Sequence, residues 1–450
     1  MNARQLVYDT FIAPFYQKDR CCVGVELEFP LLATGDEPVS EDIGLLLLAY
    51  LQKHGFSVAE TDIYGRGVFI TNADGDCLSF DNAYQNFEFA MTKDEDLTAV
   101  AARFYTLYDL VQDYLQKIGY TLTGLGTNPH RPLTTSRPVA YPIYMTLRRF
   151  LSNFSGGFYH TVTDFPAWLS SVQTHLDVSA DRLPQAYTVY AALDFVRALL
   201  FSNALPFSNL NGFSKTICFR DYLWEHSGFG SLADNTGPVC GTFQTTDDLI
   251  NMFMKKSIFL SVSAKGDYQI IPATPLEEYC NTIGTSAALN GYLSFKNVEI
   301  TRRGTLEVRS DCAQPVAEAF APSAFNLGIL QNIDVAAQRL DAFFAWLPPE
   351  LADTPDRNAQ LRHRAIYGEG LPVRDDVLRT FLLDLVRLAE RGLVQRGLGE
   401  EALLKPLFAR AETLSCPALV TRRRLQSGES WADIICDYAN PHYSLGDDLH

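Results

Sequence analysis

The chain has 450 residues, 47% of them hydrophobic and 20% charged, so it can bury a large core and is not a disordered protein. Its 37 Lys and Arg against 53 Asp and Glu leave a formal charge of −16, which argues against a nucleic-acid surface as its main business. Nine scattered cysteines with no Cys-x-x-Cys spacing do not make a disulfide framework, and reduced thiols in a cytoplasmic protein are expected. The first residues lack the apolar run of a secretory signal, and the longest apolar stretches, such as 43–51, fall short of a membrane span.

Residues 4–16 have the spacing of a short amphipathic helix. In Val23-Gly24-Val25-Glu26-Leu27-Glu28-Phe29 apolar and polar residues alternate, which fits a strand with Glu26 and Glu28 together on its polar side. Leucines at helical spacing after Ser40, a common N-cap residue, predict a helix over 40–54. Residues 63–91 read as strands with a turn at 72–76, where Asp74-Gly75 is a hairpin signal. Asp81 and Glu88 fall in this hairpin region, and Glu88 lies opposite Phe87 and Phe89 in Asn86-Phe87-Glu88-Phe89-Ala90. Residues 93–118 are helical in pattern.

Ser171-Val172-Gln173-Thr174-His175-Leu176-Asp177 is a third alternating segment, with Gln173, His175 and Asp177 on its polar side. A largely apolar helix is expected over 185–205, then a long ordered loop over 207–245, rich in Gly, Ser and Asn, of the kind that usually carries function. That loop holds Arg220 and Trp224. Thr305-Leu306-Glu307-Val308-Arg309 is the fourth alternating segment and sets Glu307 and Arg309 on one face. From 316 to 412 the pattern is helical. Strands first and helices last, without regular alternation, favour an α+β fold over a doubly wound parallel sheet. No linker or repeat divides the chain. One domain over 1–450 is expected, strand-rich over about 20–316 and helical over about 317–450.

The four polar faces carry carboxylates, an amide, an imidazole and an arginine rather than the Thr and Lys of a solvated sheet. Oxygen ligands in this number suit divalent cations with a polyphosphate. Each segment also has a plain reading: coincidental surface acids for Glu26 and Glu28, a structural hydrogen-bonding pair for Gln173 and His175, and a salt bridge for Arg309. Arg220 fits bidentate capture of a substrate carboxylate or phosphate, or a surface ion pair with Asp221 or Glu225. Several acids on apolar-backed strands are hard to explain as surface alone. Neither a P-loop nor a Rossmann glycine fingerprint is present, and no HExxH, GxSxG or zinc-type spacing occurs.

These residues together resemble the glutamate–cysteine ligase family (γ-glutamylcysteine synthetases), plant-type and bacterial branch, whose fold is of the glutamine synthetase type. Val23-Gly24-Val25-Glu26-Leu27-Glu28 is similar to its first metal-binding strand and Phe80-Asp81 through Glu88 to the acid-bearing hairpin. Gly124-Leu125-Gly126-Thr127-Asn128-Pro129 resembles a Gly-x-Gly strand, and Val172 to Asp177 the Val-Gln-Val-Asn-Leu-Asp motif. Phe201 to Pro206 and Phe219 to Trp224 resemble the next helix and the substrate-binding arginine loop, and Thr305 to Ser310 with Cys312-Ala313-Gln314-Pro315 the final catalytic strand. His175 stands where the plant-type branch has Asn, and Asp81 where many members have Glu.

The resemblance implies a curved antiparallel sheet forming a funnel, with helices on its outer face. It implies an ATP-dependent ligase that joins L-glutamate to L-cysteine through a γ-glutamyl phosphate, the first step of glutathione biosynthesis. Glu26, Glu28, Asp81, Glu88, Gln173 and Glu307 would hold two or three Mg2+ ions, with Mn2+ as a substitute. Glu307 and Arg309 would be catalytic, Arg309 also binding ATP, while Arg220, His175 and Trp224 would contact substrate. A monomer or homodimer without nucleic-acid or membrane partners is expected. Two rival readings are a γ-glutamyl or other carboxylate–amine ligase with a different amine acceptor, and an inactive homologue in a binding role. A redox switch at Cys21 and Cys22, beside the first metal-type strand, is a further hypothesis.

Overall fold

The structure, a computed structural model, describes residues 2–17, 21–35, 39–130, 137–206, 215–284, 288–443 and 445–448. The alternating segments become neighbours in one antiparallel sheet, as their period-two burial demands. Its strands are β1 (Val23–Ala33), β2 (Ser57–Thr61), β3 (Gly67–Thr71), β4 (Cys77–Phe80), β5 (Asn86–Asp94), β6 (Tyr120–Leu122) and β7 (Ser171–Leu176). Between these and the last two sheet strands come β8 (Thr236–Gly237), β9 (Ser257–Val262), β10 (Tyr268–Pro275) and β11 (Phe295–Lys296), which pair outside the sheet. The sheet closes with β12 (Val298–Ile300) and β13 (Leu306–Cys312). Its order is β12-β13-β7-β1-β5-β4-β3-β2, with β6 paired to the end of β1.

Residues directly opposite in an antiparallel pair share a face. Glu26 lies opposite Gln173, Glu28 opposite Glu88, Glu88 opposite Ser79, and Glu307 opposite both His175 and Glu299. Register alone therefore gathers the polar side chains of six strands onto one surface.

The reverse face is apolar and covered by helices. Phe29 and Phe89 meet Phe104 and Tyr108 of the helix Leu97–Lys117, whose N-cap Asp96 accepts from the Thr98 amide. Full burial of each such ring is worth roughly 1.5–3 kcal/mol. Thr174 on β7 hydrogen-bonds Ser323 of the helix Ala321–Gln331 at 2.9 Å. That helix meets the helix Asp375–Arg396 backbone to backbone, because a Cβ on Gly328 would sit 2.3 Å from the Ala389 carbonyl oxygen. One apolar cluster thus runs from Ala3 to Ala411, joining sheet and C-terminal helices. Among the described residues no helix is long and apolar enough to cross a membrane.

The α+β class is as expected, and several elements differ in detail. Residues 3–17 are helical but irregular, passing from α through a π turn to a 3-10 turn. The edge strand β2 escapes the pattern because all five of its residues are exposed and none marks a face. The apolar run 185–205 is two helices, Leu183–Ala192 and Asp194–Phe201, parted at Leu193. The loop expected over 207–245 contains the helix Phe219–Glu225, while 207–214 fall outside the described residues. The Gly-x-Gly segment 124–129 is not a sheet strand; it keeps only the bridge Thr127 to Leu169. A Cβ on Gly124 would lie 1.9 Å from the Gln314 carbonyl oxygen, and Asn203 Nδ2 donates to the carbonyls of Gly124 and Ala313. Three of the resembling motifs therefore meet in a structural joint rather than at the polar face.

Candidate active site

On the polar face the acids fall into two groups. In the first, His175 Nε2 lies 3.1 Å from Glu26 and 3.8 Å from Glu307. One ligand atom from each of these three residues falls within 4.8 Å of the others, a spacing that can hold a metal ion. Burial pushes the Glu26 carboxyl up, but the His175 hydrogen bond and the charges of His175, Arg303 and Arg309 outweigh it and draw it down to about 2. Burial pulls His175 down, while Glu307 and Glu26 more than restore it and leave it raised. His175, expected to contact substrate, stands between two acids.

In the second group, Glu28 accepts from the Ser171 amide at 2.9 Å and from Gln173 Nε2 at 2.7 Å. Gln173 thus turns its amide nitrogen to Glu28. Glu88 lies opposite Glu28 and receives Ser79 Oγ at 3.5 Å. Asp81 is met by Asn82 Nδ2 at 2.9 Å and by the Tyr144 hydroxyl at 3.5 Å. Burial, then the charge of Asp81, pushes Glu28 up to about 8. Burial, then Glu26, Asp81 and Glu28, drives Glu88 well above the carboxylate range. Asp81 is raised too, chiefly by burial. Like charges directly opposite on a sheet destabilise it. A divalent cation among these acids would relieve this crowding; among the described residues the three ligand atoms that lie within 4.8 Å of one another are those of Glu26, His175 and Glu307.

The cations come from three directions. Arg309 sits where the β13–β7 register shifts between Val308 and Asp311, and its Nε lies 3.6 Å from Glu307, two residues away on the same face. Arg303, largely exposed, reaches Glu26 at 3.4 Å from the β12–β13 turn. Arg220 projects from the helix Phe219–Glu225 and donates to the Arg309 carbonyl at 3.1 Å. Beneath that helix, the buried Arg362 donates to Asp194 and Asp221, and Arg197 donates to Asp194. This network of paired charges fixes the helix that carries Arg220 and Trp224.

Above the face lie the helices Pro142–Leu151 and Phe219–Glu225, packed in an apolar cluster separate from the main core. Between them and the sheet is a cavity of about 220 Å³ that reaches Glu28, Asp81, Gln173, Arg220, Trp224 and Arg309. A second cavity of about 440 Å³ shares Arg220, Trp224 and Arg309 and extends toward Lys296 and Arg362.

Several groups at the site are absent from the sequence reading. Glu299, opposite Glu307, is bound by the buried Lys256 at 2.7 Å. The signal was available in Val298-Glu299-Ile300, an acid between two apolar residues. Tyr144, Arg303 and Arg362 had no pattern of their own. Cys21 and Cys22 are free thiols; the closest thiol pair instead joins Cys218, beside Arg220, to Cys312 on β13 at 3.6 Å.

No family model matches the chain, and no curated protein matches it in sequence. Among solved structures it is similar to glutamate–cysteine ligase from Francisella tularensis in complex with AMP, at 11% identity and a TM-score of 0.50, over 96% of this chain and 93% of that one. It also aligns with a bifunctional glutathione synthetase from Pasteurella multocida (11% identity, TM-score 0.42, 97% of this chain and 52% of that one). A third match is the ligase PafA in complex with Pup (12% identity, TM-score 0.41, 95% of this chain and 73% of that one). The first of these likenesses, over nearly the whole of both chains, is one of fold, the glutamine synthetase-like fold that the motifs suggested.

Proposed function

We propose that this protein is an ATP-dependent carboxylate–amine ligase that activates the γ-carboxylate of glutamate and passes it to a primary amine, cysteine being the acceptor that the family resemblance implies. The observation that carries this is the single polar face, with Glu26, Glu28, Asp81, Glu88, Glu307 and His175 beside Arg309 and Arg220. Phosphoryl transfer asks mainly for positioning and charge neutralisation, and these groups supply both.

Glu26, His175 and Glu307 would hold one Mg2+ and Glu28, Asp81 and Glu88 another, which would neutralise phosphate charge. Arg220, held by the Arg362 network, anchors the glutamate α-carboxylate. A γ-carboxylate oxygen bonds to the terminal phosphorus of ATP while the bond from that phosphorus to ADP breaks. Arg309, beside Glu307 on the polar face, stabilises charge on the transferring group. The acceptor nitrogen then bonds to the acyl carbon, phosphate leaves, and a proton passes from nitrogen to solvent.

The test needs no knowledge of the acceptor. Purified protein with ATP, Mg2+, glutamate and hydroxylamine is expected to form γ-glutamyl hydroxamate with one ADP per product. AMP as the product would replace phosphoryl transfer by adenylation. Neither hydroxamate nor nucleotide turnover would favour the inactive homologue.

A further inference from the structure

We infer, building on the ligase reading above, that the acceptor is a primary amine with a large apolar, aromatic-sized substituent, and that the 220 Å³ cavity is its site. One end of this cavity is Glu28, Asp81 and Arg309, where the metal ion and the activated carboxyl would lie. The apolar part of the wall includes Ile143, Leu147 and Leu151 of the helix Pro142–Leu151, with Leu169, Phe229 and Phe295, while Tyr144, Arg148, Thr163 and Asp164 add polar groups. None of the six apolar side chains offers a hydrogen bond.

Phe229 packs against Phe150, Phe259 and Phe295 with ring centroids 5.5, 6.2 and 4.5 Å apart. Leu147, Leu151, Leu169 and Phe229 belong to the buried apolar cluster of the roof. A cavity of roughly 150 Å³ with such a lining admits a benzene ring. The present one has room for a ring on a short amine-bearing tether. A thiol as small as that of cysteine would leave most of this wall uncovered. Each methylene that such a pocket receives or lacks changes kcat/KM by roughly 10–200-fold, so several together separate the two acceptors widely.

The experiment compares acceptors on the full-length protein after the hydroxylamine assay has been run. 2-Phenylethylamine and L-phenylalanine are set against ethylamine and L-cysteine, with amide product measured by mass and ADP by coupled assay. At least one aromatic amine is expected to exceed cysteine and ethylamine by about 100-fold in kcat/KM. Phenylalanine ahead of phenylethylamine would assign an amino acid, the reverse a simple amine, and both support the inference. Cysteine equal to or ahead of both aromatic amines would overturn it. Hydroxamate formation without turnover of any aromatic amine would also overturn it while leaving the ligase reading intact. Failure to form hydroxamate would sink both. Ile143→Phe and Leu147→Phe each narrow the cavity and are expected to lower the aromatic-to-ethylamine ratio at least about tenfold; an unchanged ratio in both variants would place the acceptor elsewhere.

Discussion

Replacing Glu28 by Gln should make the metal-free protein more stable at neutral pH and much less active. Glu28 is buried, lies opposite Glu88, and has its carboxyl pushed up to about 8 by burial and Asp81, from an ordinary value of 4.5. Between these two values the unfolded chain has lost the proton and the folded one keeps it, so wild-type stability falls as pH rises through that window. At pH 7 the cost is about 3 kcal/mol. Gln at this position removes that cost. Its oxygen can still accept from Gln173, but its amide nitrogen faces the Ser171 amide, a loss of about 1–2 kcal/mol. The net gain is about 1–2 kcal/mol at pH 7, or about 1–2 °C in Tm for a chain of this length. Thermal unfolding in EDTA from pH 4 to 8 should therefore show E28Q above wild type at pH 7 and 8. The order should reverse below about pH 5–6, where the cost of ionising Glu28 falls under that of the lost hydrogen bond. Added Mg2+ should raise the wild-type Tm more than that of the variant. Hydroxamate formation should fall at least about 100-fold. A variant less stable than wild type across this range, with the same pH slope, would refute the crowding of charge described at this site.

Glu307→Gln removes a charge from the trio with Glu26 and His175, so calorimetric titration with Mn2+ should lose one binding event, whereas an unchanged isotherm would remove the trio from the metal sites. Arg362→Met takes the bidentate guanidinium from Asp221 and leaves the buried Asp194 with Arg197 alone, and should cost about 3–5 kcal/mol in urea unfolding. Because it also frees the helix that carries Arg220, KM for glutamate should rise in whatever fraction stays folded. Lys256→Met leaves Glu299 buried without its partner and should cost about 3–5 kcal/mol, while the double variant with Glu299→Leu should recover most of it; no recovery would mean the pair holds the fold in some other way.

The sequence by itself determined which residues share a surface within each strand. Period-two alternation is a local property, so Glu26 with Glu28 and Glu307 with Arg309 were readable as pairs, and the run of apolar helices after residue 316 was readable as cover. Elements without such a signature were missed, as with the wholly exposed β2 and the break at Leu193. What only the tertiary structure decided is which surfaces meet. Pairing of β1 with β5 and β7, and of β7 with β13, sets Glu28 against Glu88 and His175 between Glu26 and Glu307, across separations of up to 281 residues (from Glu26 to Glu307). The register shift beside Arg309, the Arg362 network under Arg220 and the apolar roof over Glu28 likewise depend on contacts between distant segments. Local periodicity fixes orientation relative to the strand axis, but register between strands is set by the total burial of the packed fold, and no short window of sequence contains that quantity.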